Sequence, residues 1–144
     1  AESNTPPITK IVMPVQESRK GREINILAVR RWLYESANGG EVRAVIEEPG
    51  GSKSAKAAAS MAASFGALRG ALQWAGIPTI RITPQKWQKA VLGVTGGESK
   101  ALALTKALEL WPDESWLASD LCRKPHDGLI DAALIGYFAR MNRL

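Results

Sequence analysis

The sequence is poor in the two residues that most often hold soft metals and covalent cross-links. Its 144 residues include one cysteine, Cys122, and one histidine, His126. A single cysteine excludes an intrachain disulfide framework and is typical of a reducing compartment. Without clustered cysteine or histidine, a metal site here would be built from carboxylates, which favour hard cations such as Mg²⁺ or Mn²⁺.

Long apolar runs are also absent. No stretch is long enough to span a bilayer, and the first ten residues, AESNTPPITK, lack the apolar segment of a signal peptide. We therefore expect a cytoplasmic protein with no membrane partner, in the cytoplasm of a bacterial host if a phage encodes it. The chain does not start with Met, which indicates a piece of a longer gene product.

The composition is that of a globular protein. Hydrophobic residues make up 45% and charged residues 23%, which predicts a single folded domain over residues 1–144. The net charge is +5 and the sequence pI is about 9.6, which weakly favours an anionic partner.

Short β-branched segments alternate with helical patterns, which predicts an α/β fold whose sheet is at least partly parallel. The segment 16–23 reads as a charged loop, and 95–112 reads as a Gly-rich loop that leads into a helix ending before Pro112. We predict strands at 8–15, 42–47 and 77–83, and further helices at 24–37, 56–76, 84–93 and 126–143.

Two aspartates mark the last helix. Asp127 and Asp131 are four residues apart, so they share one face with Cβ atoms ~6 Å apart. Asp127 alone could be a first-turn acid favoured by the helix dipole. Asp131 lies at the edge of the apolar stripe, where two like charges repel. A divalent cation between them would remove this repulsion.

A third acid, Glu47, ends the most apolar predicted strand, where active sites form in such sheets. Glu47 and Glu48 face opposite ways, so only one can enter a given site. An acid at this point can also simply mark where a strand leaves the core. The three acids together favour a phosphoryl-transfer site with two metal ions about 4 Å apart.

Basic residues recur beside these acids. A phosphodiester brought to a carboxylate cluster needs compensating cations, and phosphate contacts dominate nucleic-acid affinity, which should fall steeply with salt. His126 is expected to cap the last helix or to touch a phosphate rather than to bind metal. The candidate DNA-binding residues are Lys53, Lys56, Arg69, Lys86, Lys89, Lys100, Arg123, Lys124 and His126.

Four segments occur in a family-specific order, over roughly residues 10–140. They are VRAVIEEPG, SMAASFGALRGALQWAGIPTIRITPQKWQKAVLG, GGESKALALTKALELWP and KPHDGLIDAALIG. This order resembles RuvC-like Holliday junction resolvases, and the phage and prophage branch in particular.

The resemblance implies an RNase H-like mixed sheet flanked by helices and a homodimer. It also implies Mg²⁺-dependent paired nicking of four-way DNA junctions, with Mn²⁺ able to substitute. The family's acids map onto Glu47, Asp127 and Asp131 as catalytic residues and metal ligands, and Glu47 is preferred over Glu48. Gly66 and Gly70 match its closely packed long helix near the dimer contact.

Two features depart from the family. Cellular members place the last two aspartates three apart, and Gly128 occupies that position here, so Asp127 must serve instead. The family's opening Asp-x-Gly-x-x-Gly strand has no match, and residues 8–15 resemble its third strand. We therefore expect a chain of these residues to be a weak or inactive nuclease.

Two other functions fit the same residues. One is a different RNase H-like nuclease that acts on branched DNA or on hybrids, because the metal chemistry does not set the substrate. The other is a non-catalytic DNA-binding module of the same fold. Trp87 could stack on an unpaired base, but we expect it to be core. We expect Trp32, Trp74, Trp111 and Trp116 to be core or domain-edge residues.

Overall fold

The structure is a computed structural model that describes residues 5–51 and 54–144. It divides into two compact units. The helical unit comprises the described residues up to Val12 together with Pro84–Leu144, and the hairpin unit comprises Met13–Thr83. The single domain over residues 1–144 stays a prediction.

The described residues form four strands and five helices. The helices and the last two strands lie where the sequence predicts them. The elements are β1 Val15–Ser18, β2 Gly21–Ile24, α1 Ile26–Ala37, β3 Ala44–Glu47, α2 Ala55–Trp74, β4 Thr79–Ile82, α3 Pro84–Leu92, α4 Ser99–Leu110 and α5 Asp127–Met141.

The first strand prediction is wrong. Residues 8–14 have no regular structure, and the predicted charged loop at 16–23 is instead an antiparallel hairpin of β1 and β2. Its strands are joined by Arg19 and Lys20, and Gly21 adopts a φ of +118°. A polar side-chain contact crosses the hairpin, in which Gln16 Nε2 donates to Glu23 Oε1 at 3.0 Å. Both faces are largely solvated, so the strands carry no apolar alternation.

Strands β3 and β4 form a separate parallel pair, with Glu47 opposite Ile82. Ile46 and Ile82 are both buried although they lie on opposite faces of this pair. A near-continuous apolar strand is typical of a parallel sheet covered on both sides. The strand predicted at 42–47 is thus present, as one of two paired strands among the described residues.

An apolar groove of about 1070 Å³ separates α1 from α2 within the hairpin unit. No residue of α1 is buried, and Leu27 and Tyr34 are exposed on it. Trp74, at the end of α2, is 94% exposed. The expectation that Trp74 packs in a core or at a domain edge is therefore wrong for this chain on its own.

Helices α3, α4 and α5 pack together to form the core of the helical unit. Ala103 and Ala107 are buried on α4, and their small side chains let α5 approach closely. Trp87 and Leu134 are fully buried, which confirms Trp87 as a core residue.

An aromatic cluster closes one side of this core. The rings of Trp111 and Trp116 lie 5.9 Å apart, and the indole Nε1 of Trp111 donates to the carbonyl of Pro6 at 3.1 Å. Lys10 lies over the Trp116 ring at 5.3 Å and pairs with Glu114. These contacts tie the segment before β1 to the helical unit.

Among the described residues, no helix combines the length and the apolar character needed to cross a membrane.

The core assignment predicts the cost of two leucine truncations. Leu134→Ala should lower the free energy of unfolding by about 2–5 kcal/mol, because it opens a cavity among α3, α4 and α5. Leu121→Ala is the matched control, since Leu121 is 94% exposed, and should stay within about 0.5 kcal/mol. Urea unfolding followed by circular dichroism measures both, and equal losses would contradict the core assignment.

Candidate functional site

The start of α5 is built around a capped first turn. His126 precedes the helix with extended backbone angles, and its Nδ1 accepts a hydrogen bond from the amide of Leu129 at 3.2 Å. The amide of His126 donates to the carbonyl of Trp116 at 2.7 Å, which anchors the turn to the aromatic cluster. Asp127 is the first helical residue, where the helix dipole favours a negative charge.

Asp127 pairs with a lysine from the neighbouring helix. Lys100 lies in the first turn of α4, and its Nζ is 3.0 Å from Asp127 Oδ2. Both side chains are more than half exposed, so the pair contributes little to stability. Its effect is electrostatic, because it places one positive charge beside the carboxylate of Asp127.

The Lys100 contact is the site feature that sequence reasoning missed. Lys100 is a candidate phosphate-binding residue by sequence, and nothing in its spacing from Asp127 shows that the two helices start side by side. The buried small residues on α4 were the available signal, since they indicate a close helix contact.

Asp131 lies one turn further along α5 and is half-buried. Its position beside buried Ile130 and Leu134 agrees with the predicted edge of the apolar stripe. Helix geometry puts the Cβ atoms of Asp127 and Asp131 on one face, ~6 Å apart. The structure thus brings these two predicted acids together on one helix.

Glu47 belongs to the hairpin unit, at the carboxyl end of β3, and is half-buried. Its neighbour Glu48 lies 3.8 Å from the Nε of Arg81 on β4. Because alternate residues share a face, Glu48 and Arg81 lie on the Ile46 side and Glu47 on the opposite side. Glu48 therefore has an ion-pair partner on β4, and the preference for Glu47 over Glu48 stays a prediction.

A divalent cation needs several oxygen, nitrogen or sulfur ligands from side chains, water or substrate. Among residues 5–51 and 54–144, no group of three or more His, Cys, Asp or Glu side chains is placed to hold a metal ion. Mg²⁺, however, is commonly held by one or two carboxylates together with water and substrate phosphates. Asp127 and Asp131 fit that mode of binding, as two carboxylates on one helix face, the first exposed and the second half-buried.

The predicted basic residues divide between the two units. Lys56 and Arg69 lie on α2 in the hairpin unit, and Lys53 lies outside the described residues. All of the helical-unit members are exposed: Lys86, Lys89, Lys100, Arg123 and Lys124.

Cys122 lies in the loop that leads to His126. Its Sγ is 3.5 Å from the Ser119 hydroxyl, and this hydrogen bond lowers the pKa of the Cys122 thiol.

The comparisons with known proteins identify a fold. No protein-family model and no curated protein matches the sequence. Among solved structures, the chain is similar to Thermus thermophilus RuvC in complex with a Holliday junction substrate, with a TM-score of 0.52 and 16% identity, over 89% of this chain and 86% of that one. A second Thermus thermophilus RuvC structure gives a TM-score of 0.52 and 17% identity, over 89% and 87%.

The chain therefore has a RuvC-like, mixed α/β fold with small sheets. This agrees with the predicted α/β class, whereas the RNase H-like mixed sheet that the resemblance implies stays a prediction, because the described strands form two separate two-stranded sheets. The assignment to the phage and prophage branch, and the roles of Glu47, Asp127 and Asp131, stay predictions.

The Lys100–Asp127 pair predicts a change in metal affinity. Lys100→Met removes a cation that competes for the Asp127 carboxylate, so Mn²⁺ should bind up to about fivefold more tightly, the upper range for an exposed pair. Isothermal titration calorimetry measures this. Lys106→Met is the matched control, because Lys106 lies on the same helix and faces Glu109 at 3.6 Å. Weaker Mn²⁺ binding by Lys100→Met would contradict competition.

Proposed function

We propose that this protein is a Mg²⁺-dependent endonuclease that nicks four-way DNA junctions. The observation that carries the proposal is the pair of aspartates on one face of α5 in a chain with a RuvC-like fold. One of the similar structures is RuvC in complex with a Holliday junction substrate, which supports branched DNA as the substrate class. Mn²⁺ is expected to substitute for Mg²⁺.

The chemistry assigned to the site is hydrolysis of a phosphodiester. Asp127 and Asp131 would hold the cation, which would polarise the scissile phosphate and activate water. Glu47, in the hairpin unit, is the third acid of the proposal because the resemblance of the VRAVIEEPG segment implies it. With a cation held by Asp127, Lys100 would be able to pair with the incoming phosphate instead.

The exposed basic residues would hold the DNA backbone. Arg123 and Lys124 immediately precede the capped turn, and Lys100 lies across from it. Lys86 and Lys89 belong to α3, which packs on α5. Cations around one helix start suit a polyanion whose phosphates are spaced along a strand.

The proposal includes a homodimer, because two symmetric sites can nick two strands of a near-symmetric junction. The exposed apolar groove beside α2 supports this, since Leu27, Tyr34 and Trp74 form a surface of the kind that protein interfaces cover. We place the dimer contact on this groove and on the small residues of α2. The cytoplasm is the proposed location.

The proposed roles of Glu47, Asp127 and Asp131 predict the outcome of a nicking assay. A four-way junction with labelled strands is incubated with excess protein and Mg²⁺, so that even slow nicking is measurable. We expect nicks on the junction and none on a linear duplex of the same sequence. Asp131→Asn and Glu47→Gln should each lower the rate about a hundredfold or more, because each removes a charge that the metal-bound transition state needs.

Glu48→Gln is the matched control for Glu47→Gln and should keep most of the nicking rate. The acid variants should retain junction binding. Nicking that survives EDTA or Asp131→Asn would contradict the metal site. Equal cutting of flaps or of RNA–DNA hybrids would contradict junction specificity. Tight junction binding without any nicking would identify a non-catalytic DNA-binding module instead.

The dimer contact predicts the molar mass in solution. Sedimentation equilibrium should give twice the 15.5 kDa of the chain. Trp74→Ser should weaken dimer association at least about tenfold, the effect expected for a central interface tryptophan. Leu121→Ser is the control, because Leu121 is equally exposed but lies outside the groove. A dimer that is unchanged by Trp74→Ser would place the contact elsewhere.

A further inference from the structure

His126 is held more firmly than a surface histidine needs to be. Its backbone amide donates to the carbonyl of buried Trp116, and its Nδ1 accepts from the amide of Leu129 at 3.2 Å. The imidazole therefore acts as the N-cap of α5, a place usually taken by Ser, Thr, Asp or Asn. A histidine does this with one ring nitrogen and keeps the other available.

The cap determines the tautomer. A nitrogen that accepts a hydrogen bond carries no proton, and in a neutral imidazole the other nitrogen then carries it. With Nδ1 facing the Leu129 N–H, the proton lies on Nε2. A metal ion on Nε2 would require the proton to move to Nδ1, where it would face the Leu129 N–H donor. Capping α5 and binding metal through Nε2 therefore exclude each other.

Gly128 provides the space that this arrangement needs. A Cβ at position 128 would lie 3.0 Å from Cε1 and 3.3 Å from Nδ1 of His126. A side chain there would require the ring to shift by a few tenths of an ångström, which would disturb its hydrogen bond with the Leu129 amide. Glycine near a helix start costs up to about 1 kcal/mol relative to alanine, and the capping imidazole gives a physical reason for it.

We propose that His126 is a positioning residue that caps α5 through Nδ1, is thereby fixed as the Nε2–H tautomer, and donates from Nε2 to a DNA phosphate oxygen beside Asp127. It is not a metal ligand, and Gly128 is the residue that makes the cap possible. The phosphate contact rests on the proposed function, whereas the cap and its tautomer do not.

The tautomer is directly measurable because the chain has a single histidine. Long-range ¹H–¹⁵N spectra of the ¹⁵N-histidine-labelled chain, at alkaline pH where imidazole is neutral, should show a protonated Nε2 and an unprotonated, hydrogen-bonded Nδ1. Saturating Mg²⁺ should leave this pattern unchanged. A protonated Nδ1, with or without Mg²⁺, would overturn the cap.

Gly128→Ala should mix the two tautomers and move the ¹⁵N chemical shift of Nδ1 away from that of a hydrogen-bonded nitrogen, while the Leu129 amide keeps its other acceptor, the carbonyl of His126 at 3.1 Å. Gly136→Ala is the matched control on the same helix, because nothing lies within 4 Å of its added Cβ, and it should change neither reading. Identical spectra for Gly128→Ala and the unsubstituted chain would overturn the role of Gly128.

The phosphate contact is tested with His126→Asn, which keeps an N-cap acceptor but loses the reach of Nε2. Four-way junction binding in Ca²⁺ should weaken about tenfold while the midpoint of thermal unfolding stays unchanged. Unchanged junction affinity at an unchanged midpoint would overturn the phosphate contact alone. If the unsubstituted chain binds no junction, the proposed function and the phosphate contact both fail, and the tautomer spectra still decide the cap.

Discussion

The contact between α4 and α5 is the constraint on which the candidate site depends. Ala103 and Ala107 are buried on α4, so the two helices lie close together and begin side by side. Only because of this do Lys100 and Asp127, 27 positions apart in the sequence, come within 3.0 Å. Packing in the hydrophobic core of the helical unit thus determines which charged side chains meet at its surface.

The elements that bury apolar residues can be predicted from the sequence, whereas the exposed β1–β2 hairpin cannot. Helix α5 is predicted correctly because its apolar residues recur with the period of a helix, and β3 because a short, near-continuous apolar run is typical of a buried strand. The β1–β2 hairpin was missed, because polar cross-strand pairs such as Gln16 with Glu23 leave no such pattern. Apolar periodicity arises where one face of an element is buried, and both strands of this hairpin are largely exposed.

The candidate site divides in a similar way. Spacing along α5 is enough to place Asp127 and Asp131 on one face, since helix geometry alone decides it. The pairing of Glu48 with Arg81 depends on strand register, and the cap between His126 and Leu129 depends on a side-chain rotamer. Neither contact has a sequence signature.

The 3.0 Å separation between a Cβ at position 128 and the ring of His126 also constrains how this helix start can evolve. Any side chain at position 128 would require the capping ring to shift by a few tenths of an ångström. Replacing His126 would remove the imidazole cap and relieve that contact. The effect of a substitution at either position therefore depends on the residue at the other.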